Sequence, residues 1–212
     1  MPANASTTDV IAGVLLAAGR SRRVGQLKQA LDWSGRTILR HVTETLVEAG
    51  LTPVCVVLGY ERKRLARALN GLDVQIVENA HYAEGMFSSV RCGLGAVPAD
   101  ANGCAVALVD QPRITPQLVR TLVGAHRRHH PEVTMPRFGG RAGHPVVLGR
   151  AAIGAVLAAS PMVTLRDVLA DFVGSTHYVD VDTDSVVSDI DTLEDYERQR
   201  PKGTIAQPEP DD

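Results

Sequence analysis

The sequence predicts an α/β fold: a doubly wound, mostly parallel sheet with a small antiparallel addition. Short apolar runs that need burial on both faces alternate with amphipathic segments of about ten residues. The alternation continues without internal repeat or linker across residues 10–200, the pattern of βαβ units stacked into one sheet. With 212 residues, 44% hydrophobic and 22% charged, the chain is large and apolar enough to bury a sizeable core.

Residues 10–18 form an apolar run bounded by glycine and predict a strand inside the sheet. Residues 37–49 place Ile38, Val42, Thr45 and Leu46 at helical spacing and stop at Gly50, a suitable residue just past a helix end. Residues 53–59 predict a second buried strand, 62–70 a basic helix and 74–77 a third strand. A short helix over 88–97 leads to an apolar strand over 104–109, which ends at Asp110, Gln111 and Pro112. Residues 116–130 put Leu118, Leu122 and Ala125 on one helical face. After Pro131, residues 133–138 and 145–148 flank a glycine-rich stretch, predicting two extended segments joined by a loop over a site. Helices over 151–159 and 164–172, a strand near 177–181 and a helix over 192–199 complete the pattern, with Asp191 as N-cap and Glu194 at N3 of the last helix. Residues 1–9 and 201–212 are too polar to bury apolar area and are expected to be loose ends around one domain over 10–200.

Charge and cysteine content narrow the function. Lys plus Arg number 22 against 24 Asp plus Glu, a net charge of −2, so no global basic field points to nucleic acid or a membrane surface. The opening residues lack the basic and apolar regions of an export signal, and no apolar run approaches the ~18 residues of a span. Cys55, Cys92 and Cys104 are far apart and form no C-x-x-C pair; they read as buried thiols in a reducing cytoplasm. His126, His129 and His130, with Arg127 and Arg128, close a helix, where cations suit the negative end of the macrodipole.

The most specific stretch is residues 16–28, LAAGRSRRVGQLK. A buried strand runs directly into small residues followed by Arg20, Arg22, Arg23 and Lys28, so exposed backbone N–H groups and cations together can cradle a triphosphate. It is neither a G-x-x-x-x-G-K-[ST] loop nor a G-x-G-x-x-G loop, and the alternative is a glycine-rich turn with solvated arginines. The stretch resembles the opening L-A-A-G-x-S-x-R-M-G-x-x-K of the molybdenum-cofactor cytidylyltransferases, within the MobA-like NTP transferases, with Val24 in place of the Met. The likeness continues in order through Trp33-Ser34-Gly35, Val56-Val57-Leu58-Gly59, residues 79–94, Asp110-Gln111-Pro112, Gly143-His144-Pro145 and Asp189-Ile190-Asp191-Thr192, covering roughly residues 11–198.

The resemblance implies transfer of CMP from CTP to a phosphorylated acceptor, molybdopterin cofactor, with release of pyrophosphate and with Mg²⁺ as cofactor; a molybdoenzyme would receive the product. Such a displacement at the α-phosphorus relies on positioning and charge neutralisation. Arg23 and Lys28 are implied beside the triphosphate and Asp110 on the metal, with Asp189 or Asp191 as a second ligand or Asp191 as a plain helix cap. Leu16, Ala17, Ala18, Gly19, Arg20 and Ser21 are implied to wrap the nucleotide, with Asn79, Gly85, Ser88 and Ser89 near base and ribose, although either serine can instead cap a helix. Ala18 and Gln111 resemble the cytidylyl branch rather than the guanylyl branch. His144 is implied at the acceptor, or else makes a structural hydrogen bond. The chain departs from the family's G-D-x-G-A-R-x-L-L at residues 161–169, PMVTLRDVL, where Arg166 alone of the polar positions survives and Met162 and Thr164 are new. Arg166 is either an acceptor clamp or a surface cation. Transfer to a sugar or polyol phosphate, and a non-catalytic chaperone for a molybdoenzyme, remain alternatives.

Overall fold

The structure is a computed structural model and describes residues 9–21 and 24–201. Its frame is one eight-stranded sheet. β1 (Ile11–Leu16) lies at the centre with all six residues buried, paired in parallel with β2 (Val54–Leu58) and β4 (Gly103–Leu108). β3 (Gln75–Glu78) adds in parallel outside β2. On the other side, β7 (Val146–Gly149) runs antiparallel between β4 and β5 (Val133–Phe138). The two-residue β6 (Arg141–Ala142) folds back on β5, and β8 (Thr176–Asp180) pairs with β5 in parallel. The antiparallel region therefore widens the sheet in its own plane.

Period-two alternation along the strands splits the core in two. Leu15, Val56 and Ala107 point to one face, where α1 (Ile38–Glu48), α2 (Arg62–Arg67), α4 (Pro116–His129) and α7 (Leu193–Gln199) cover them. Val14, Val57 and Val106 point to the other face and meet α3 (Met86–Gly95), α5 (Arg150–Ala158) and α6 (Leu165–Ala170). Helices on both faces are what a parallel sheet requires. Gly93 brings α3 onto the sheet so closely that a Cβ there would lie 2.5 Å from Val14 Cγ1 and 2.8 Å from Val57 Cγ2.

Several local expectations change. α3 starts at Met86, so Gly85 is its N-cap and Ser88 and Ser89 lie inside it, not at its start. α7 is capped by Thr192, whose side chain accepts from the Asp195 N–H while the Asp195 carboxylate returns a bond to Thr192. Neither Asp191 nor Glu194 takes those roles, because the capping box sits one residue later. His126 is buried and its Nδ1 lies 3.0 Å from the Thr134 hydroxyl; burial lowers its pKa, so it is a neutral core residue rather than a cation at a helix end. Cys55 and Cys104 are buried, whereas Cys92 is half-exposed. Of the ends expected to be loose, Asp9 is instead ion-paired with Arg127 at 3.4 Å; residues 1–8 and 202–212 lie outside the described residues. No helix among the described residues is long and apolar enough to cross a membrane.

Candidate active site

β1 sends its crossover to β2 on one side, while β4 lies on the other, so the chain reverses direction across the sheet between β1 and β4. Open α/β sheets bind ligands at that crevice, at the carboxyl ends of the strands. A cavity of about 350 Å³ opens there. Its floor is the end of β1, from Leu16 to Gly19; one wall is Leu108, Val109 and Asp110 at the end of β4; the opposite wall is Gly85 and Ser89 of α3. Of the residues expected from sequence, Leu16, Ala17, Ala18, Gly19, Ser21, Lys28, Gly85, Ser89, Asp110 and Asp191 all border this one cavity.

Lys28 lies in a single 3₁₀ turn (Lys28–Ala30). Its ammonium donates to Asp110 Oδ2 and to the Ile190 carbonyl, each at 2.9 Å, and is 3.9 Å from Asp191 Oδ1. Two carboxylates thus converge on one cationic position. The second oxygen, Asp110 Oδ1, is buried and accepts no hydrogen bond from the described residues. Asp189 is oriented differently: its Oδ1 accepts from Gln111 Nε2 at 2.8 Å. Gln111 also donates to the Val186 carbonyl and does not border the cavity. A hard divalent ion takes oxygen ligands and keeps places for phosphates and water, so Asp110 and Asp191 suit one. Among the described residues no cluster of three or more acidic, His or Cys groups could hold a metal alone.

The loop after β1 is held by a residue that sequence reasoning missed. Gln29 is buried, and its amide donates to the Ala17 and Gly19 carbonyls at 3.0 and 2.8 Å while its Oε1 accepts from the Ser21 hydroxyl at 2.9 Å. All three bonds act on the segment that lines the floor. A glutamine directly after the loop lysine and before an apolar stretch was the available signal. Arg23 and its neighbour Arg22 lie outside the described residues.

Opposite the loop, the Asn79 side chain is buried; Nδ2 donates to the Ser88 and Ser89 hydroxyls at 2.9 and 3.0 Å, and Oδ1 accepts from the His81 N–H. Ser88 turns its own hydrogen back to the His81 or Gly85 carbonyl, so its hydroxyl is used within its turn. Ser89 accepts from Asn79 and borders the cavity, which leaves its hydrogen to be donated inward. Tyr82 and Met86 also border the cavity; Met86 stands at a fixed position of the family stretch that residues 79–94 resemble, whereas Tyr82 had no sequence signal distinguishing it from a surface residue.

His144 is half-buried just outside this cavity; burial lowers its pKa, opposed by the Asp110 and Asp189 carboxylates it faces. Its backbone N–H donates to the Val186 carbonyl at 2.9 Å. Arg166 is exposed on α6 and does not border the cavity. Thr164, expected among altered acceptor contacts, instead caps α6 in a reciprocal pair with Asp167, while Met162 is 89% exposed.

A glycine-bearing loop, a lysine and two carboxylates gather at the switch point of a doubly wound sheet, where such folds take their ligands, and the family match makes the class that of the nucleotidyltransferases. The chain belongs to the MobA-like NTP transferase domain family, whose profile matches residues 13–180. It is 32% identical over 202 residues to the nicotine blue oxidoreductase of Paenarthrobacter nicotinovorans, covering 89% of this chain and 95% of that one. It is 26% identical over 187 residues to the molybdenum cofactor cytidylyltransferase of Escherichia coli, covering 86% and 92%. The crystal structure of Rv0371c from Mycobacterium tuberculosis superposes with a TM-score of 0.79 at 27% identity, over 90% of this chain and 98% of that one. The same mycobacterial protein is also known in complex with manganese, with a TM-score of 0.74 at 27% identity over 91% and 98% of the two chains.

Proposed function

We propose that the chain transfers CMP from CTP to a phosphorylated small molecule, with molybdopterin cofactor as the acceptor and Mg²⁺ held by Asp110 and Asp191. The observation that carries this reading is the convergence of Lys28, Asp110 and Asp191 on one position beneath the β1 loop. The resemblance of Ala18 and Gln111 to the cytidylyl branch supports the base, and the Escherichia coli relative supports the acceptor.

The loop's N–H groups and cations would bind the triphosphate, and Lys28, released from Asp110, would place fixed charge where negative charge grows on the phosphoryl oxygens. A bound divalent ion would supply further neutralisation of the phosphates. Ser89 would donate to base or ribose, and Asn79 would hold it in place. His144 and Arg166 are assigned to the acceptor side and Arg23 to the triphosphate.

Pyrophosphate release, measured with each NTP against molybdopterin and against sugar and polyol phosphates, tests the proposal. Release with CTP and molybdopterin alone is the expected result; release with another pair reassigns base or acceptor, and release with none overturns the catalytic reading. A second reading, an oxidoreductase, is favoured by the 32% identity to nicotine blue oxidoreductase across nearly both chains. Reduction of nicotine blue by the purified chain with an added electron donor, without pyrophosphate release, would establish it.

A further inference from the structure

Among the described residues, Arg20 makes no contact with a carboxylate, unlike Lys28. Its guanidinium carbon lies 5.6 Å from the centroid of the Tyr60 ring and 5.3 Å from that of Tyr82. Nη2 donates to the Tyr82 hydroxyl at 3.3 Å, and the two rings stand 6.4 Å apart at 58°. The bracket is built into the fold on both sides. The Tyr60 N–H donates to the Ala18 carbonyl in the cavity floor. Tyr82 packs against the backbone just after β2, where residue 59 is glycine and a Cβ would come within 2.6 Å of the Tyr82 Cβ. Tyr82 itself borders the cavity.

Aromatic faces attract a guanidinium without neutralising its charge, whereas a carboxylate partner would cancel it. They also restrict a long side chain whose ordering would otherwise oppose binding. We propose that Tyr60 and Tyr82 are positioning residues that hold Arg20 as a preset, uncancelled cation for the terminal phosphates of the bound NTP, the part that leaves as pyrophosphate. This rests on the nucleotidyl-transfer reading above and adds two residues to it.

The experiment compares the affinity of each nucleoside triphosphate with that of its monophosphate, in the full chain and in Tyr60→Ala, Tyr82→Phe, Arg20→Ala and the Arg20→Ala/Tyr60→Ala double variant. Thermal melts accompany each titration. Tyr60→Ala is expected to weaken the triphosphate roughly fivefold, the size of one cation–π contact, and to leave the monophosphate unchanged. Tyr82→Phe keeps the ring and loses only the hydrogen bond, so its effect should be smaller and confined to the triphosphate. Arg20→Ala should lose more than either, and the double variant should lose no more than Arg20→Ala, since the tyrosine acts through the arginine. Equal weakening of mono- and triphosphate, additive losses, or folded variants with unchanged affinity overturn the bracket alone. Failure of the wild-type chain to bind any nucleotide overturns the nucleotidyl-transfer reading, and the bracket's role falls with it.

Discussion

Asp110 is the residue on which the site's charge balance turns, because one of its oxygens holds the Lys28 ammonium and the other is buried without a partner among the described residues. Asp110→Asn keeps the shape and removes the charge. The expected outcome is a retained fold, read by circular dichroism and melting, with metal-dependent turnover reduced by ~10²-fold or more, as for the loss of one transition-state stabiliser; unchanged turnover at saturating metal would remove Asp110 from the assignment. The sequence made Asp110 legible because it ends an apolar strand. Gln29 was hidden because its part depends on three partners, at Ala17, Gly19 and Ser21, that only the folded loop brings round it. The different surroundings of Asp189 and Asp191 were hidden for the same reason: both flank Ile190, and only the fold turns Asp189 to Gln111 and Asp191 toward Lys28.

At the scale of elements, two glycines on helices should respond to the same substitution with opposite signs. Gly93→Ala in α3 drives a methyl group into Val14 and Val57, an overpacking expected to cost about 1–3 kcal/mol. Gly154→Ala in α5 meets nothing within 4 Å on an exposed position and should stabilise by about 0.5–1 kcal/mol through helix propensity. Denaturant midpoints of the two variants check both signs. Sequence reading located the seven α-helices of the described residues to within a few positions: α1 and α4 by their apolar stripes, and α7, which buries only Tyr196, by the capping residues ahead of it. It could not tell these two glycines apart, since spacing along one helix says nothing about how near the sheet approaches. It also misplaced the cap of α7, where Asp191 and Thr192 are both good capping residues and the choice rests on the reach of Asp195.

For the whole molecule, the parallel half of the sheet was readable from strand and helix alternation. The insertion of β7 between β4 and β5 was not, because pairing order between distant strands leaves no local mark. The face of that sheet covered by α1 and α4 holds two histidines whose charged form burial disfavours, which makes stability fall on mild acidification. His126, against Thr134, and His41, with Nε2 2.9 Å from the Pro112 carbonyl, both have pKa values lowered by burial from the ordinary 6.5. The unfolded chain therefore takes up protons first as pH drops below 6.5, and stability is lost until the folded pKa values are passed. Denaturation midpoints measured downward from pH 7.5 should decline, and His126→Gln should flatten the decline; a flat profile in the parent protein would contradict the neutral burial of these rings. Lys28 reaches across 162 residues of chain to the carbonyl of Ile190. During synthesis the phosphate loop leaves the ribosome long before the segment around Ile190 that completes it, so the nascent chain cannot assemble this pocket until that segment has emerged.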